Sequence, residues 1–217
     1  MATDVGVVVF PGTNCEFDVL EAIDASGANG HLLWHGNSFV PKYDSVILAG
    51  GFAHGDYLRP GAIARFSKIM EGISKFGADG GKIVGICNGF QVLTEAGLLP
   101  GALQKNRGLT FICEKVTLEV VSDKSCFTKV VSPGTVVTLP INHFSGNYTN
   151  ENVDELEANG QVILKYCDNP NGSVNSIAGI RNDRGNIVGL MPHPERAISE
   201  ITGGSDGLLF WKSLLKS

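Results

Sequence analysis

Residues 82–91, Lys-Ile-Val-Gly-Ile-Cys-Asn-Gly-Phe-Gln, constrain the fold of this chain more than any other segment. An apolar run typical of a buried strand leads into Gly85, Cys87 and Gly89. This spacing is typical of the nucleophile elbow, a sharp strand-to-helix turn that presents one reactive side chain. We interpret Cys87 as a nucleophile, because the free N–H groups at the start of the following helix favour a thiolate. The alternative is a buried structural cysteine beside a glycine-rich turn.

Strands and helices alternate through the first half of the chain. Apolar runs predict strands at 5–10, 31–34, 45–49 and 82–86. A helix is predicted between the third and fourth strands, with one face formed by Ile63, Phe66, Ile69, Met70 and Ile73. This alternation predicts a parallel sheet covered by helices. The second half alternates apolar and polar residues, for example at 110–121, which favours antiparallel strands.

The composition shows neither an internal repeat nor a break between domains. We therefore predict one α/β domain over residues 1–217, a three-layer sandwich with a mostly parallel central sheet. The formal net charge is -5 and no basic block is present, which argues against nucleic acid as a partner. Because no apolar stretch approaches the roughly 20 residues of a membrane helix, and no charged leader precedes the first strand, we expect a cytoplasmic protein without membrane contact.

Five scattered cysteines, none of them in a C-x-x-C pair, argue against a disulfide framework or a cysteine-based zinc site. Cys15 also follows a predicted strand and is the one rival nucleophile. No sequence feature supplies it with a base, so we expect a structural role for it. The other three are expected to pack as small hydrophobic residues: Cys113, Cys126 and Cys167.

The motif Pro192-His193-Pro194-Glu195-Arg196 provides a candidate base for the cysteine. It follows a predicted strand at 187–191, and sites in α/β sheets collect at strand ends. A residue before proline is held extended, and side chains two apart in an extended chain point the same way. His193 and Glu195 can therefore face one site, with the carboxylate fixing the imidazole tautomer. We predict a triad of Cys87, His193 and Glu195.

The glycine-rich segment 50–56 follows another predicted strand. It lacks the closing Gly-Lys-Ser/Thr of a P-loop, and its spacing differs from the dinucleotide-binding fingerprint. We interpret it as half of an oxyanion hole, formed by the N–H group of Gly51 or Phe52, with the N–H group of Asn88 as the other half. The alternative is a tight turn that binds no ligand.

The elbow with Gln91, followed by the later His-Pro-Glu, resembles the signature of class I (triad-type) glutamine amidotransferases. Further segments resemble one branch of that family, the glutaminase subunits of a purine-pathway synthase; they are residues 10–16, 50–59, 85–103 and 192–196. The likeness covers essentially the whole chain and implies the flavodoxin-like fold of the family. Two places depart from the family pattern: Ala53-His54 stands where Ser-Tyr is usual, and residues 142–146 are bulkier than the usual Ala-His-Gly-Glu-Gly. We expect His54 and His143, which lie in these two segments, to be polar loop residues available to a partner.

The resemblance implies hydrolysis of glutamine through a thioester on Cys87. It implies delivery of the ammonia to a synthase subunit that converts formylglycinamide ribonucleotide to formylglycinamidine ribonucleotide, with a small third subunit bridging the two. It implies no metal or organic cofactor in this subunit, because ATP and magnesium would be used by the synthase. It also implies a set of substrate-binding residues: Gln91, Asn106, Gly108 and Phe111.

Three alternatives stay open at this point. The triad alone fits a glutaminase that feeds another synthase. A cysteine hydrolase or stress protein on a similar sheet is disfavoured, because such proteins commonly have histidine directly after the cysteine, where this chain has Asn88. A regulatory subunit without catalysis is disfavoured by the intact triad residues.

Overall fold

The first half of the chain builds a parallel sheet. The computed structural model describes residues 3–39, 42–201 and 203–216. Its first strands are β1 (Asp4–Val9), β2 (Asn29–Trp34), β3 (Ser45–Leu48) and β4 (Lys82–Ile86). The helices among them are α1 (Glu16–Ala25), α2 (Lys68–Ala78) and α3 (Asn88–Glu95). The β1 strand pairs in parallel with β2 and β3, and β3 pairs in parallel with β4.

The second half extends this sheet with antiparallel strands. Its elements are β5 (Ala102–Gln104), β6 (Ile112–Val120), β7 (Val136–His143), β8 (Asn147–Thr149), α4 (Val153–Ala158), β9 (Val162–Tyr166), β10 (Ile177–Arg181), β11 (Ile187–Leu190) and α5 (Leu208–Leu215). The nine-stranded sheet has the order β2-β1-β3-β4-β11-β10-β9-β6-β7, and β5 pairs with β8 in a small separate sheet. β11 returns in parallel beside β4, whereas β10, β9, β6 and β7 follow as antiparallel neighbours.

The strand order positions the site. After β2 the chain crosses to the other side of β1 to form β3, which creates a crevice at the carboxyl ends of these strands. Because β1, β3, β4 and β11 are parallel, the segments that follow them meet at the same edge of the sheet. Three of these strands carry the predicted cysteine, the glycine-rich segment and the histidine motif.

Burial explains the run-like sequences of the central strands. All four residues of β3 and of β11 are buried, as parallel strands covered on both faces require. The α3 helix packs on β3, β4 and β11, whereas α1 packs on β1 and β2 and contacts α5. The predicted α/β class is therefore confirmed, with an antiparallel extension that begins at β10.

Two element predictions differ from the structure. The helix predicted from Ile63 begins only at Lys68, because Ser67 has extended backbone angles. Phe66 consequently lies outside the helix and is 75% exposed. Sequence reasoning also missed β5 and β8, which are too short to show a period. Within the described ranges, no helix has both the length and the apolarity needed to cross a membrane.

Candidate active site

The elbow forms a single-residue turn between β4 and α3. Cys87 has φ 51° and ψ -105°, a conformation that side chains adopt only under strain. A Cβ at Gly89 would lie 1.9 Å from the Leu48 carbonyl oxygen, and one at Gly85 would lie 2.6 Å from the backbone of Gly89. Both glycines are thus needed for α3 to approach the sheet, and the approach leaves Cys87 beside a cavity.

The histidine motif lies directly after β11, and its two polar side chains pair. His193 Nδ1 and Glu195 Oε1 are 2.6 Å apart, and both side chains are almost fully buried. The backbone N–H of His193 donates to the Pro140 carbonyl of β7 at 2.8 Å. In this pairing His193 Nδ1–H donates to the Glu195 carboxylate, which leaves Nε2 as the nitrogen that can exchange protons with a substrate. Among the described residues, Nε2 makes no well-aligned hydrogen bond.

The surroundings of His193 favour its charged form. Burial, the largest single effect, lowers the pKa of His193, but the Glu195 carboxylate and the Cys87 and Cys15 thiols together raise it well above its usual value. A protonated imidazole beside Cys87 can both stabilise a thiolate and donate a proton to a leaving group.

The structure distinguishes between the N–H groups of Gly51 and Phe52, the two candidates for the oxyanion hole in the glycine-rich segment. The Phe52 N–H donates to the Gly12 carbonyl at 2.9 Å, so it is already occupied. Gly51 forms an isolated antiparallel bridge with Thr13, in which the hydrogen bonds are made by the flanking residues. The Gly51 N–H therefore points away from that bridge, and Gly51 lines the cavity. Asn88 is the first residue of α3, where the N–H group has no acceptor within the helix.

The side chain of Asn88 ties the glycine-rich segment to α3. Its Oδ1 accepts from the Ala53 N–H at 2.9 Å, and its Nδ2 donates to Asp56 at 3.1 Å and to Gln91 Oε1 at 2.8 Å. Burial raises the pKa of Asp56 to about 6, against the opposing effect of the Asn88 hydrogen bond. The position of the Asn88 backbone and the shape of the segment are thus coupled.

A cavity of about 850 Å³ opens beside Cys87. Of the predicted substrate-binding residues, Gln91 and Asn106 line it, but Gly108 and Phe111 are not among its lining residues. Gln91 Nε2 donates to the Ser145 carbonyl at 2.7 Å. The cavity is large enough for an amino acid substrate and reaches the cysteine from the carboxyl edge of the sheet.

Comparison with known proteins identifies the family. Residues 2–204 match the CobB/CobQ-like glutamine amidotransferase domain. The phosphoribosylformylglycinamidine synthase subunit PurQ of Sulfurimonas denitrificans is 49% identical over 98% of this chain and 99% of its own length. The PurQ of Trichormus variabilis is 52% identical over 97% of this chain and 96% of its own length. The chain belongs to the PurQ family.

A solved structure agrees with this assignment. A chain in the structure of PurLQS from Thermotoga maritima is 42% identical, with a TM-score of 0.93, and the match covers 99% of this chain and 98% of that one. The likeness of this PurQ-family chain to its relatives therefore extends through the whole sheet, including the antiparallel half. The fold implied by the resemblance to class I glutamine amidotransferases is confirmed.

One of the two departures from the family pattern lines the cavity of this PurQ-family chain, at residues 142–145, whereas Ala53 and His54 are not among the lining residues. His143 is buried, not a loop residue open to a partner, so that expectation was wrong. Burial, with a smaller effect of His193, lowers the pKa of His143 to about 4, which keeps its imidazole neutral at physiological pH. Asn106 is also buried, and its Oδ1 accepts from the Gly146 N–H at 3.0 Å and contacts His143 Nδ1 at 3.2 Å. Asn106 Nδ2 donates to the His143 carbonyl at 3.0 Å, so its amide shapes the cavity wall.

The environment of Cys15 also differs from expectation. Three buried side chains lie close together here, each with one possible metal-ligand atom within 4.8 Å of the others: Cys15, His193 and Glu195. A base therefore lies beside Cys15, although no feature of the sequence indicated one; the structural role expected for Cys15 stays a prediction. The Glu195 carboxylate already serves the His193 Nδ1–H, so we assign these atoms to the imidazole and not to a metal ion. The absence of a metal or organic cofactor in this subunit stays a prediction.

Proposed function

We propose that this chain is the glutaminase subunit of phosphoribosylformylglycinamidine synthase. It hydrolyses glutamine and delivers ammonia for the conversion of formylglycinamide ribonucleotide to formylglycinamidine ribonucleotide in purine biosynthesis. The observation that carries this proposal is the buried His193–Glu195 pair facing an elbow cysteine, in a chain 49% identical to a curated PurQ over nearly its full length.

The first half of the reaction forms a thioester. The Cys87 thiolate attacks the side-chain amide carbon of glutamine, and the oxygen gains the negative charge. The N–H groups of Gly51 and Asn88 stabilise that oxyanion, each contributing on the order of 10²–10³ in rate. When the C–N bond breaks, protonated His193 gives its Nε2 proton to the departing ammonia. The product on the protein is a γ-glutamyl thioester of Cys87.

The second half restores the cysteine. Neutral His193 removes a proton from water, and the hydroxide attacks the thioester carbonyl within the same oxyanion hole. Glutamate leaves, and Cys87 and protonated His193 are regenerated. Glu195 holds the ring orientation and stabilises the imidazolium in both halves.

The ammonia needs an acceptor, which this chain does not supply. We expect a synthase subunit of the PurL type and a small bridging subunit of the PurS type; a PurLQS structure contains a chain that matches this one closely. ATP and magnesium would act in the synthase subunit. Because such a complex works in purine synthesis, we expect the protein in the cytoplasm.

Ammonia release from glutamine tests the proposal. The purified chain is assayed alone and with PurL-type and PurS-type subunits, ATP and formylglycinamide ribonucleotide. Release should rise on assembly and vanish in Cys87→Ser, whereas Cys113→Ser, which changes an exposed cysteine, should behave as wild type. If no ammonia is released under any condition, the proposed glutaminase activity is rejected. If ammonia release by the assembled mixture does not depend on formylglycinamide ribonucleotide, a different synthase is favoured.

A further inference from the structure

The segment after β1 meets the residue that follows Glu195. Cys15 is 2% exposed, and its Sγ lies 3.2 Å from Asn14 Oδ1, to which the thiol donates. Arg196 Nη2 donates to the same sulfur at 3.2 Å, and Arg196 Nε pairs with Asp18 of α1 at 2.9 Å. Two sequence motifs far apart in the chain are thereby joined, and the thiol of Cys15 has a fixed orientation.

Cys15 also contacts the imidazole of the predicted triad. The Cys15 sulfur lies within 4.8 Å of a His193 ring nitrogen, and a Cβ at Gly50 would crowd both side chains, at 3.0 Å from His193 Cε1 and 3.1 Å from Cys15 Sγ. His193 Nε2 is buried without a well-aligned partner, although both Cys15 and Cys87 are close enough to affect its charge. Two thiols therefore share one imidazole, and only one of them lies at the elbow.

We propose that Cys15 is a positioning residue for the glutaminase reaction, whose neutral thiol packs against His193 and keeps the imidazole turned towards Cys87. This inference rests on the proposed function of the same site. The thiol proton is directed to Asn14, so a sulfur lone pair remains available to the imidazolium. Sulfur is a weak acceptor, so it steadies the ring without withdrawing the Nε2 proton from the reaction.

The charge state of Cys15 agrees with this role. Burial raises the pKa of the Cys15 thiol, although His193 and Arg196 act in the opposite direction. The raised pKa favours the protonated thiol, so we expect Cys15 to be a poor nucleophile beside the elbow cysteine. Five titratable or charged groups act on His193 or on its Cys15 neighbour: Glu195, Arg196, Cys87, Cys15 and His143. Asp18 acts only on Arg196, with which it pairs.

The test compares Cys15→Ala with Cys15→Ser in the assembled complex. Cys15→Ala should lower kcat about tenfold or more, because a ring that tilts misplaces the proton donor. It should also move the alkaline limb of the kcat profile to lower pH by on the order of half a unit, since the imidazolium loses an acceptor. Cys15→Ser retains a hydrogen-bond donor and acceptor of similar shape, so its alkaline limb should lie at the wild-type pH. Cys126→Ala removes a buried thiol at the other end of β11 and should leave the limb unmoved.

A second readout needs no glutaminase activity. The rate at which iodoacetamide alkylates Cys87 is followed by peptide mass spectrometry across pH, and its midpoint should rise in Cys15→Ala. If wild type releases no ammonia, the proposed function fails, while the alkylation profile still tests the contact. If the alkaline limb of the pH profile and the alkylation midpoint are both the same in Cys15→Ala as in wild type, the positioning role is overturned and Cys15 is a packing residue.

Discussion

At the scale of single residues, the chemistry depends on which charges the buried imidazole meets. Glu195 is the partner of His193 Nδ1 at 2.6 Å, and neither side chain is accessible to water that could replace the other. The carboxylate fixes the tautomer and stabilises the imidazolium, so both functions depend on its charge.

Replacing Glu195 by glutamine should therefore impair catalysis without unfolding the site. We expect Glu195→Gln to lower kcat for glutamine hydrolysis about 10²–10⁴-fold, because the amide can hold the wrong tautomer and no longer raises the pKa of His193. Glutamate release measures the effect. Glu157→Gln, at a partly exposed glutamate that pairs with Lys165, is the control and should retain full activity. A Glu195→Gln enzyme within twofold of wild type would contradict the assigned role.

The sequence predicted the residues whose relation is local and missed those whose relation is distant. The sequence predicted that His193 pairs with Glu195, but it predicted an extended backbone between them, whereas Pro194–Arg196 form a short 3-10 helix. Cys15 approaches His193 only because β1 and β11 run parallel in one sheet, separated by β3 and β4. His143 is buried because β7 runs on to that residue, which pairs with Ile112 of β6. The prediction that Cys113 and Cys167 are packed was wrong, because both are exposed. Cys113 lies on the face of β6 that also exposes Lys115 and Glu119.

At the scale of elements, the segment 53–58 is under backbone strain. Its three non-glycine residues with positive φ are His54 (53°), Asp56 (53°) and Leu58 (69°). Such residues persist only where the surroundings hold them. The holding contacts are the Asn88 side chain and a two-point ion pair of Arg59 with Glu95 at 2.5 and 2.7 Å. The segment is therefore anchored to both ends of α3, which begins at Asn88 and ends at Glu95.

Asp56 makes the stability of this segment depend on pH. Its pKa is raised to about 6, so the folded state binds the proton more tightly than the unfolded state. The stabilisation is complete below the unfolded pKa and is lost as pH rises through about 6. Asp56→Asn should accordingly raise Tm more at pH 8 than at pH 5, which lies between the unfolded and folded pKa values, as thermal unfolding at both pH values would show. Asp24→Asn, at an exposed position of α1, should give no such difference, and an equal effect of Asp56→Asn at both pH values would refute the linkage.

The α3 helix must also approach the sheet closely. A Cβ at Gly89 would overlap the Leu48 carbonyl oxygen of β3, an atom that cannot move without breaking the sheet. Gly89→Ala should therefore lower the free energy of unfolding by about 3 kcal/mol or more, measured by urea denaturation. Gly108→Ala, whose Cβ would meet only the Thr110 hydroxyl at 3.5 Å, should be tolerated. A Gly89→Ala protein as stable as Gly108→Ala would contradict the close docking of α3.

At the scale of the whole molecule, the triad crosses the two halves of the sheet. Cys87 comes from the parallel first half, whereas His193 and Glu195 come from β11, which the chain reaches after building the antiparallel half. The alternating pattern predicted β1, β3 and β4, because each is a short apolar run, whereas β2 is largely exposed and was predicted only from residue 31. It could not predict that β11 inserts beside β4, because strand order depends on long-range packing and not on local period.

This arrangement predicts that the chain unfolds as one cooperative unit, in keeping with the predicted single domain. The protein has two tryptophans, with Trp34 on the edge strand β2 and Trp211 buried in α5 against Phe127. In Trp211→Phe and Trp34→Phe the remaining tryptophan reports on one side of the molecule. We expect the fluorescence midpoint of each variant in urea to coincide with its own circular-dichroism midpoint, and loss of glutaminase activity to coincide with both. A Trp34 transition at clearly lower urea than the circular-dichroism transition would mean that the parallel edge of the sheet unfolds separately. If activity is then still present at urea concentrations above the Trp34 transition, the triad does not depend on that edge.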